Sequence, residues 1–131
     1  MKAFNDVKDS GEREEYMTGS VRDRREGKGQ FDWLPPYAIL RVAQHFENGG
    51  VKYGPRNWEL GQPVMGYINS AIRHSFKLLG GSKDEDHAAA ICWNIMAYME
   101  TLHRIDLDML PKELDDRPEV MKDPTLNLFG E

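Results

Sequence analysis

A short acidic segment in the second half of the chain carries the residues best suited to chemistry. Asp84, Asp86 and His87 stand within four positions, and Asn94 follows the histidine by seven residues. On a helix, Asp84 and His87 share one side, and Asn94 returns to within about 20° of His87. Carboxylates and neutral imidazoles bind divalent ions, and an asparagine in an apolar helix needs a hydrogen-bond partner. The pattern predicts a divalent-metal site, and the alternative is acids that complement a helix dipole beside a surface histidine.

A second group of polar residues lies in a segment rich in glycine and proline. Lys52 and Arg56 can bind phosphate, Trp58 can stack on a base, and Asn57 can hydrogen-bond to the edge of a base. These residue types together predict a nucleotide-binding loop. The alternative is a structural loop held in place by its aromatic residues.

Two helical segments carry further polar candidates. Arg73 and His74 stand between the apolar residues Ile72 and Phe76, and a half-buried pair of this kind needs an anionic partner, either a carboxylate or a substrate phosphate. Glu47 follows the apolar stripe of an earlier helix by one position. It therefore faces either the edge of the core or solvent.

Helical periodicity predicts the elements that position these residues. Apolar spacing indicates helices over about residues 36–48, 63–79 and 82–105. The run Asn48-Gly49-Gly50 is expected to end the first helix, and Gly80-Gly81 the second. Ser82 and Glu85 have the spacing of a capping box and are expected to start the third helix.

No strand pair or repeat is apparent, so the predicted fold is all-α. Residues 1–30 are polar and are expected to form an extended arm. Residues 31–110 are predicted to be the helical catalytic domain, and residues 111–131 an irregular tail. A core of this size makes a partner subunit a reasonable expectation.

Composition excludes several classes of function. The 131 residues include 17 Lys plus Arg and 22 Asp plus Glu, a formal net charge of -5, which argues against binding to duplex nucleic acid. A small anionic substrate stays possible, because a bound metal inverts the local field. The single cysteine, Cys92, forms no intrachain disulfide and fits a reduced compartment. No signal peptide or membrane span is apparent, which predicts a cytoplasmic protein.

Several blocks of the chain resemble one known family. The blocks DSGER, TGSVRDRREGKGQFDWLPP, FENGGVKYGPRNWELG, SAIRHSFKLLGG and DEDHAAAICWN are similar to the phage and bacterial dATP/dGTP diphosphohydrolases, which include the MazZ proteins. That family belongs to the wider MazG-like all-α nucleotide pyrophosphohydrolases. The resemblance covers about residues 7–104, with the blocks in the expected order.

The resemblance implies hydrolysis of dGTP or dATP to the monophosphate and pyrophosphate, with Mg²⁺ or Mn²⁺, by a helical bundle completed in a dimer or tetramer. MazG-like enzymes carry an ExxE helix and a later ExxD helix. Residues 84–87 occupy the place of the second motif, and Gln44 with Glu47 that of the first. Gln44 is not acidic, and His87 stands where an aspartate is typical, so the exact ligands stay open.

The combined prediction assigns two catalytic residues, Glu47 and Asp86. The predicted metal ligands are Glu47, Asp84, Asp86 and His87, and the predicted substrate-binding residues are Lys52, Arg56, Asn57, Trp58, Arg73 and Asn94. Two alternatives remain: a non-catalytic nucleotide-binding protein, and an HD-type metal phosphohydrolase that uses His74, His87 and Asp86.

Overall fold

The computed structural model describes residues 7–130, so residues 1–6 of the predicted arm and residue 131 of the predicted tail lie outside it. The chain divides into two compact units, of which the first ends at Leu34 and the second begins at Pro35. Each unit is described by itself.

The N-terminal unit contains a small β-hairpin. Strand β1 (Arg13–Glu15) pairs antiparallel with β2 (Val21–Asp23), and Gly19, at φ +84°, donates its N–H to the carbonyl of Tyr16 at 2.8 Å in the connecting turn. The expectation of no strand pair is wrong here. Three-residue strands with mostly charged side chains lack the hydrophobic alternation that reveals a strand in a sequence.

The second unit is helical, and the all-α prediction is confirmed. Its helices are α1 (Pro36–Tyr53), α2 (Val64–Leu79), α3 (His87–Asp106) and the one-turn α4 (Glu119–Lys122). Short 3₁₀ helices precede α2 and α4. No helix formed by residues 7–130 combines the length and apolar character needed to cross a membrane.

Helix α1 continues past the glycine pair that was predicted to end it. It stops at Tyr53, where Gly54 takes a φ of 98° and donates its N–H to the carbonyl of Gly50. Glycine permits a left-handed cap but does not impose one, and each interior glycine costs only about 1 kcal/mol relative to alanine. A preference of that size does not prevent the helix from continuing to the cap at Gly54.

Helix α3 begins at His87, five residues later than predicted. Asp86 is its N-cap, and the Asp86 carboxylate accepts the N–H of Ala89. The predicted capping box of Ser82 and Glu85 is wrong, because those residues lie in the turn before the helix. Asp86 is the better start, since it also pairs with Arg41 of α1.

The core lies mainly between α2 and α3. Small residues on α3, Ala89, Ala90 and Ala97, are buried and let the helices approach closely. The ring of Trp93 lies 5.7 Å from Phe46 of α1 and 6.0 Å from Tyr67 of α2. These ring contacts join the three helices, with Tyr67 in the first turn of α2.

The segment after α3 returns to the start of α2. The Asp116 carboxylate accepts the N–H of Met65 at 2.9 Å, which satisfies one of the free donors in the first turn of α2. Leu114 packs so closely on Gly61 that a Cβ there would lie 2.6 Å from its methyl group. The tail thus caps a helix that begins about 50 residues earlier in the chain.

Candidate functional site

Two buried histidines meet where α2 ends and α3 begins. His74 of α2 is 6% exposed and His87 of α3 is 2% exposed, and their Nδ1 atoms lie 2.9 Å apart. Each histidine has a polar neighbour on its other ring nitrogen. The contact therefore belongs to a polar network that crosses the α2–α3 turn.

The hydrogen-bond partners of the two histidines indicate which ring nitrogens carry the protons. Oδ1 of Asp84 lies 2.7 Å from His87 Nε2, so Nε2 donates to the carboxylate and His87 Nδ1 carries a lone pair. The Arg73 guanidinium, which can only donate, lies 3.4 Å from His74 Nε2. From this network we assign the His74 proton to Nδ1, which donates to Nδ1 of His87. Both imidazoles are then neutral.

The electrostatic surroundings shift the pKa values of His74 and Asp84. Burial lowers the pKa of His74, and the positive charge of Arg73 lowers it further. The hydroxyl of Ser82 and then the His87 hydrogen bond lower the pKa of Asp84 to about 2. At neutral pH the site therefore combines a neutral His74 imidazole with an ionised Asp84 carboxylate, and metal ligation requires neutral imidazoles and ionised carboxylates.

Glu85 completes a set of three possible metal ligands. Its Oε1 lies 3.8 Å from His74 Nδ1, and one atom each from His74, Glu85 and His87 lie within 4.8 Å of one another. Metal–ligand bonds of about 2.0–2.2 Å place neighbouring ligand atoms about 3 Å apart and opposite ones about 4 Å apart. The three side chains are therefore candidate ligands for one divalent ion.

Asp86, a predicted ligand, is turned towards α1 instead. Its Oδ2 and Oδ1 accept from Nε and NH2 of Arg41 at 2.9 and 2.5 Å. This bidentate pairing is the main cause that lowers the pKa of Asp86. Glu47 is exposed on α1 and is not one of the three groups that converge around the histidines.

Among the four predicted metal ligands, the structure brings His87 and Asp84 together, with Asp84 as the hydrogen-bond partner of His87. Sequence reasoning did not select Glu85 as a ligand. It paired His74 with Arg73 as a candidate for an anionic partner and named His74 as a metal ligand only in the HD-type alternative. The available signal was the two histidines, 13 residues apart, on consecutive helices joined by a turn of two glycines. Side chains on two helices that a short turn connects can meet near that turn, as those of His74 and His87 do.

Asn94 is buried, as its place in the helix predicted, but it is satisfied locally. Its amide donates to the carbonyl of Ala90 at 2.8 Å, one turn earlier in α3. The sequence argument placed Asn94 in the site because a buried amide needs a hydrogen-bond partner. The Asn94 amide finds that partner within its own helix.

The loop after α1 forms a separate cleft of about 470 Å³. Arg56, at φ 58°, and Asn57 line this cleft together with Arg104. The Arg104 guanidinium lies over the ring of Trp58, 4.8 Å from its centre, and Arg56 pairs with Glu59 at 2.9 Å. Two cations, an amide and the aromatic ring of Tyr53 therefore line one cavity.

This cleft lies far from the histidines along α3. Arg104 follows His87 by 17 residues on the same helix, which corresponds to about 25 Å. Of the predicted phosphate-binding residues, Arg73 is the one beside the histidines. The pKa of Lys52 is raised mainly by Tyr53, and Glu85 adds to this effect, so the Lys52 ammonium interacts electrostatically with the cluster.

Comparison with known proteins adds one finding. No curated protein and no solved structure matches the chain significantly. A family model described as dATP/dGTP diphosphohydrolase, N-terminal, matches residues 18–117, which include the hairpin strand β2, the three long helices and the Asp116 cap. The chain therefore belongs to the dATP/dGTP diphosphohydrolase family.

Proposed function

We propose that this protein hydrolyses a purine deoxynucleoside triphosphate, dGTP or dATP, to the monophosphate and pyrophosphate with a divalent ion held by His74, Glu85 and His87. Membership of the family supports the reaction class. The observation that carries the metal assignment is the buried contact between two neutral imidazoles with a carboxylate beside them.

The donor set favours Mn²⁺ over Mg²⁺. Two imidazole nitrogens and one carboxylate suit a transition metal, whereas Mg²⁺ takes oxygen ligands and retains water. The carboxylate of Asp84 would orient His87 and raise its basicity from the far side of the ring, as is common for metal-bound histidines. For His74 to bind the ion through Nδ1, its proton must move to Nε2, and the Arg73 guanidinium, which lies 3.4 Å from Nε2, must then turn away.

When bound, the ion would neutralise phosphate charge and lower the pKa of a water molecule. In the hydrolysis, the oxygen of one water molecule would form a bond to the α-phosphorus while the bond from that phosphorus to the α–β bridging oxygen breaks. Pyrophosphate would leave with the bridging oxygen, and the proton lost by the water would pass to Glu47 or to solvent. Arg73, beside His74, is placed to contact a phosphate at this point. The chain supplies positions and charges rather than a covalent nucleophile.

We retain Glu47 and Asp86 in the proposal with different roles. Asp86 ties the start of α3 to α1 through Arg41, which would hold α1 beside the metal ligands. Glu47 lies six residues after Arg41 on α1, and its exposed carboxylate is available to accept a proton or to bind a second ion.

A second copy of the chain would complete the site. Arg104, which lines the cleft together with Arg56 and Asn57, is about 25 Å from His87 along α3, and this distance is longer than a deoxynucleoside triphosphate. Two helices also expose apolar stripes with helical spacing. These are Ile72, Phe76 and Leu79 on α2 and Cys92, Met96 and Met99 on α3.

We propose that these stripes are covered in a dimer or tetramer, which would bring the cleft of one copy towards the histidines of another. Phe76, which is 70% exposed, provides the test. Phe76→Glu should lower the molar mass measured by analytical ultracentrifugation. An unchanged mass would rule out this face.

The deciding experiment separates the products formed from each of the four deoxynucleoside triphosphates with Mn²⁺ or Mg²⁺. Monophosphate plus pyrophosphate supports the proposal. Release of triphosphate or orthophosphate would favour an HD-type phosphohydrolase, since two histidines and Asp84 also suit that chemistry. Nucleotide binding without turnover would indicate a sensor.

A matched pair of variants assigns the activity to the site. His87→Gln removes a buried ligand, whereas His103→Gln changes an exposed histidine in the last turn of the same helix. Loss of turnover in the first variant alone is the expected result. Equal activity in both would exclude the histidine pair as the metal site.

A further inference from the structure

The N-terminal unit carries a second cavity with a strong local charge. This open cleft has a volume of about 470 Å³, in the range of pockets that bind small molecules. Its charged lining residues are Lys8, Arg22, Asp23, Arg25 and Lys28. The cleft therefore has a formal excess of three positive charges in a chain whose net charge is -5.

The single carboxylate of this cleft is already engaged. Asp23 accepts from Lys28 at 2.9 Å and from the hydroxyl and the N–H of Ser10. Lys28 and Asp23 thus neutralise each other. The excess charge comes from the other three cations.

Those three cations are unpaired within residues 7–130. Lys8, Arg22 and Arg25 make no ion pair there, whereas the neighbouring Arg13 and Arg24 each bind an acid. Arg13 binds Asp9 at 2.6 Å, and Arg24 binds Glu12 at 2.8 Å. The hairpin therefore contains two neutralised arginines outside the cleft and two unneutralised arginines that line it.

The backbone around these arginines is fixed. Arg22 lies on β2 opposite Glu14, and the carboxylate of Glu14 accepts the N–H of Arg25 at 2.7 Å. Both arginines are thus held on one short structured segment. Two planar guanidiniums and an ammonium around a single cavity match a ligand with several phosphate oxygens, because each guanidinium can bind phosphate through two parallel hydrogen bonds.

An aromatic ring stands at the edge of the cleft. Phe31 lines it and is 76% exposed, and its ring packs over Gly29, where a Cβ would lie 3.4 Å away. An exposed ring beside a phosphate-binding cleft is available to stack on a base.

We propose that this cleft binds a polyphosphate group, that of a nucleoside triphosphate or of free pyrophosphate or tripolyphosphate, through Lys8, Arg22 and Arg25. This binding uses no metal and no residue of the histidine cluster. It can therefore be measured, and can fail, separately from hydrolysis.

The test is calorimetric titration of the full chain with sodium tripolyphosphate in EDTA, at low and at physiological salt. The wild-type protein should bind, and added salt should weaken binding because the contacts are exposed charges. Arg22→Gln with Arg25→Gln should weaken binding by about tenfold or more. Arg22→Lys with Arg25→Lys should bind with an intermediate affinity, since charge is kept but the paired hydrogen bonds are lost.

The matched control is Arg13→Gln with Arg24→Gln, which removes the same net charge from the same hairpin outside the cleft. This control should keep the wild-type affinity. Equal weakening by both double variants would overturn the proposal, as would no binding at low salt. Amide NMR spectra of the hairpin confirm that each variant is folded.

The two ligand sources are separated by comparing dGTP, tripolyphosphate and deoxyguanosine. If dGTP binds more tightly than tripolyphosphate and Phe31→Ala removes the difference, the source is a nucleotide. If dGTP and tripolyphosphate bind equally, the ligand is the free polyphosphate. A single-stranded oligonucleotide that binds more tightly than either, at equal phosphate concentration, would overturn the assignment.

Discussion

The hydrogen bond between Asp84 and His87 offers the sharpest test of the metal assignment. In Asp84→Asn the shape of the side chain is preserved and an oxygen can still accept from His87 Nε2, but the negative charge is lost. The present bond is short, 2.7 Å, and it joins an ionised carboxylate to a ring whose other nitrogen faces His74. The charge of Asp84 should therefore act on the metal through the ring of His87.

The size of the effect follows from this geometry. A carboxylate behind a metal-bound histidine typically contributes 10- to 100-fold to metal affinity, which is about 1.4–2.7 kcal/mol. Asp84 is exposed on its outer side, so solvent screens part of its field, and we expect about tenfold. Turnover at saturating Mn²⁺ should fall much less than turnover at limiting Mn²⁺.

The assay is titration of Mn²⁺ followed by the electron paramagnetic resonance signal of the free ion. The control is Asp123→Asn, because Asp123 likewise accepts from a nearby hydroxyl, that of Thr125 at 2.7 Å, but lies in the tail. Asp84→Asn should shift the Mn²⁺ dissociation constant and Asp123→Asn should not. Equal dissociation constants for Asp84→Asn and the wild-type protein would refute the role given to His87.

Three further predictions concern stability. Asp86→Ala should lower the free energy of unfolding by about 1–2 kcal/mol, because it removes both the cap of α3 and the half-exposed Arg41 pair, and urea denaturation measures this. Gly49→Ala should raise that free energy by about 0.5–1 kcal/mol, because Gly49 lies inside α1 and a Cβ there meets nothing within 4 Å. In EDTA, stability should fall as the pH drops below 6.5, by at most about 1.4 kcal/mol per pH unit from His74, because its lowered pKa leaves the unfolded chain with more bound protons.

Each of these predictions has its own control. Asp86→Asn keeps a capping oxygen and loses the charge of the Arg41 pair, so its stability should lie between those of Asp86→Ala and the wild-type protein. Gly54→Ala should destabilise, since Gly54 has a φ of 98°, in contrast to Gly49→Ala. His74→Asn should flatten the pH dependence and His103→Gln should not; an unchanged slope in His74→Asn would contradict the buried state of His74.

The sequence predicted the helices better than their ends. The stripe on α2 and the glycines after it located that helix to within one residue at its start, because both signals are local. The end of α1 was missed at Gly49, because the glycine pair signals a cap that the helix forms instead at Gly54. The start of α3 was missed because the Asp86–Arg41 pair joins residues 45 positions apart.

The candidate site shows the same division. His87 and Asp84 were found because they are three residues apart, within reach of a local argument. His74 was named as a metal ligand only in an alternative, since its contact with His87 depends on how α2 packs against α3. The cleft at Arg56 was predicted from its residue types, but its separation from the histidines is set by the length of α3.

The bond from Asp116 to the start of α2 has a consequence for how the chain folds. During synthesis, Met65 in the first turn of α2 leaves the ribosome 51 residues before Asp116 does. Helix α2 must therefore form without this cap, or form only after Asp116 has been synthesised. A contact of such high sequence separation forms late and slowly. A protein that ends before Asp116 would keep every long helix but lack this contact. Limited proteolysis should then cleave the segment just before α2 faster than it does in the intact protein.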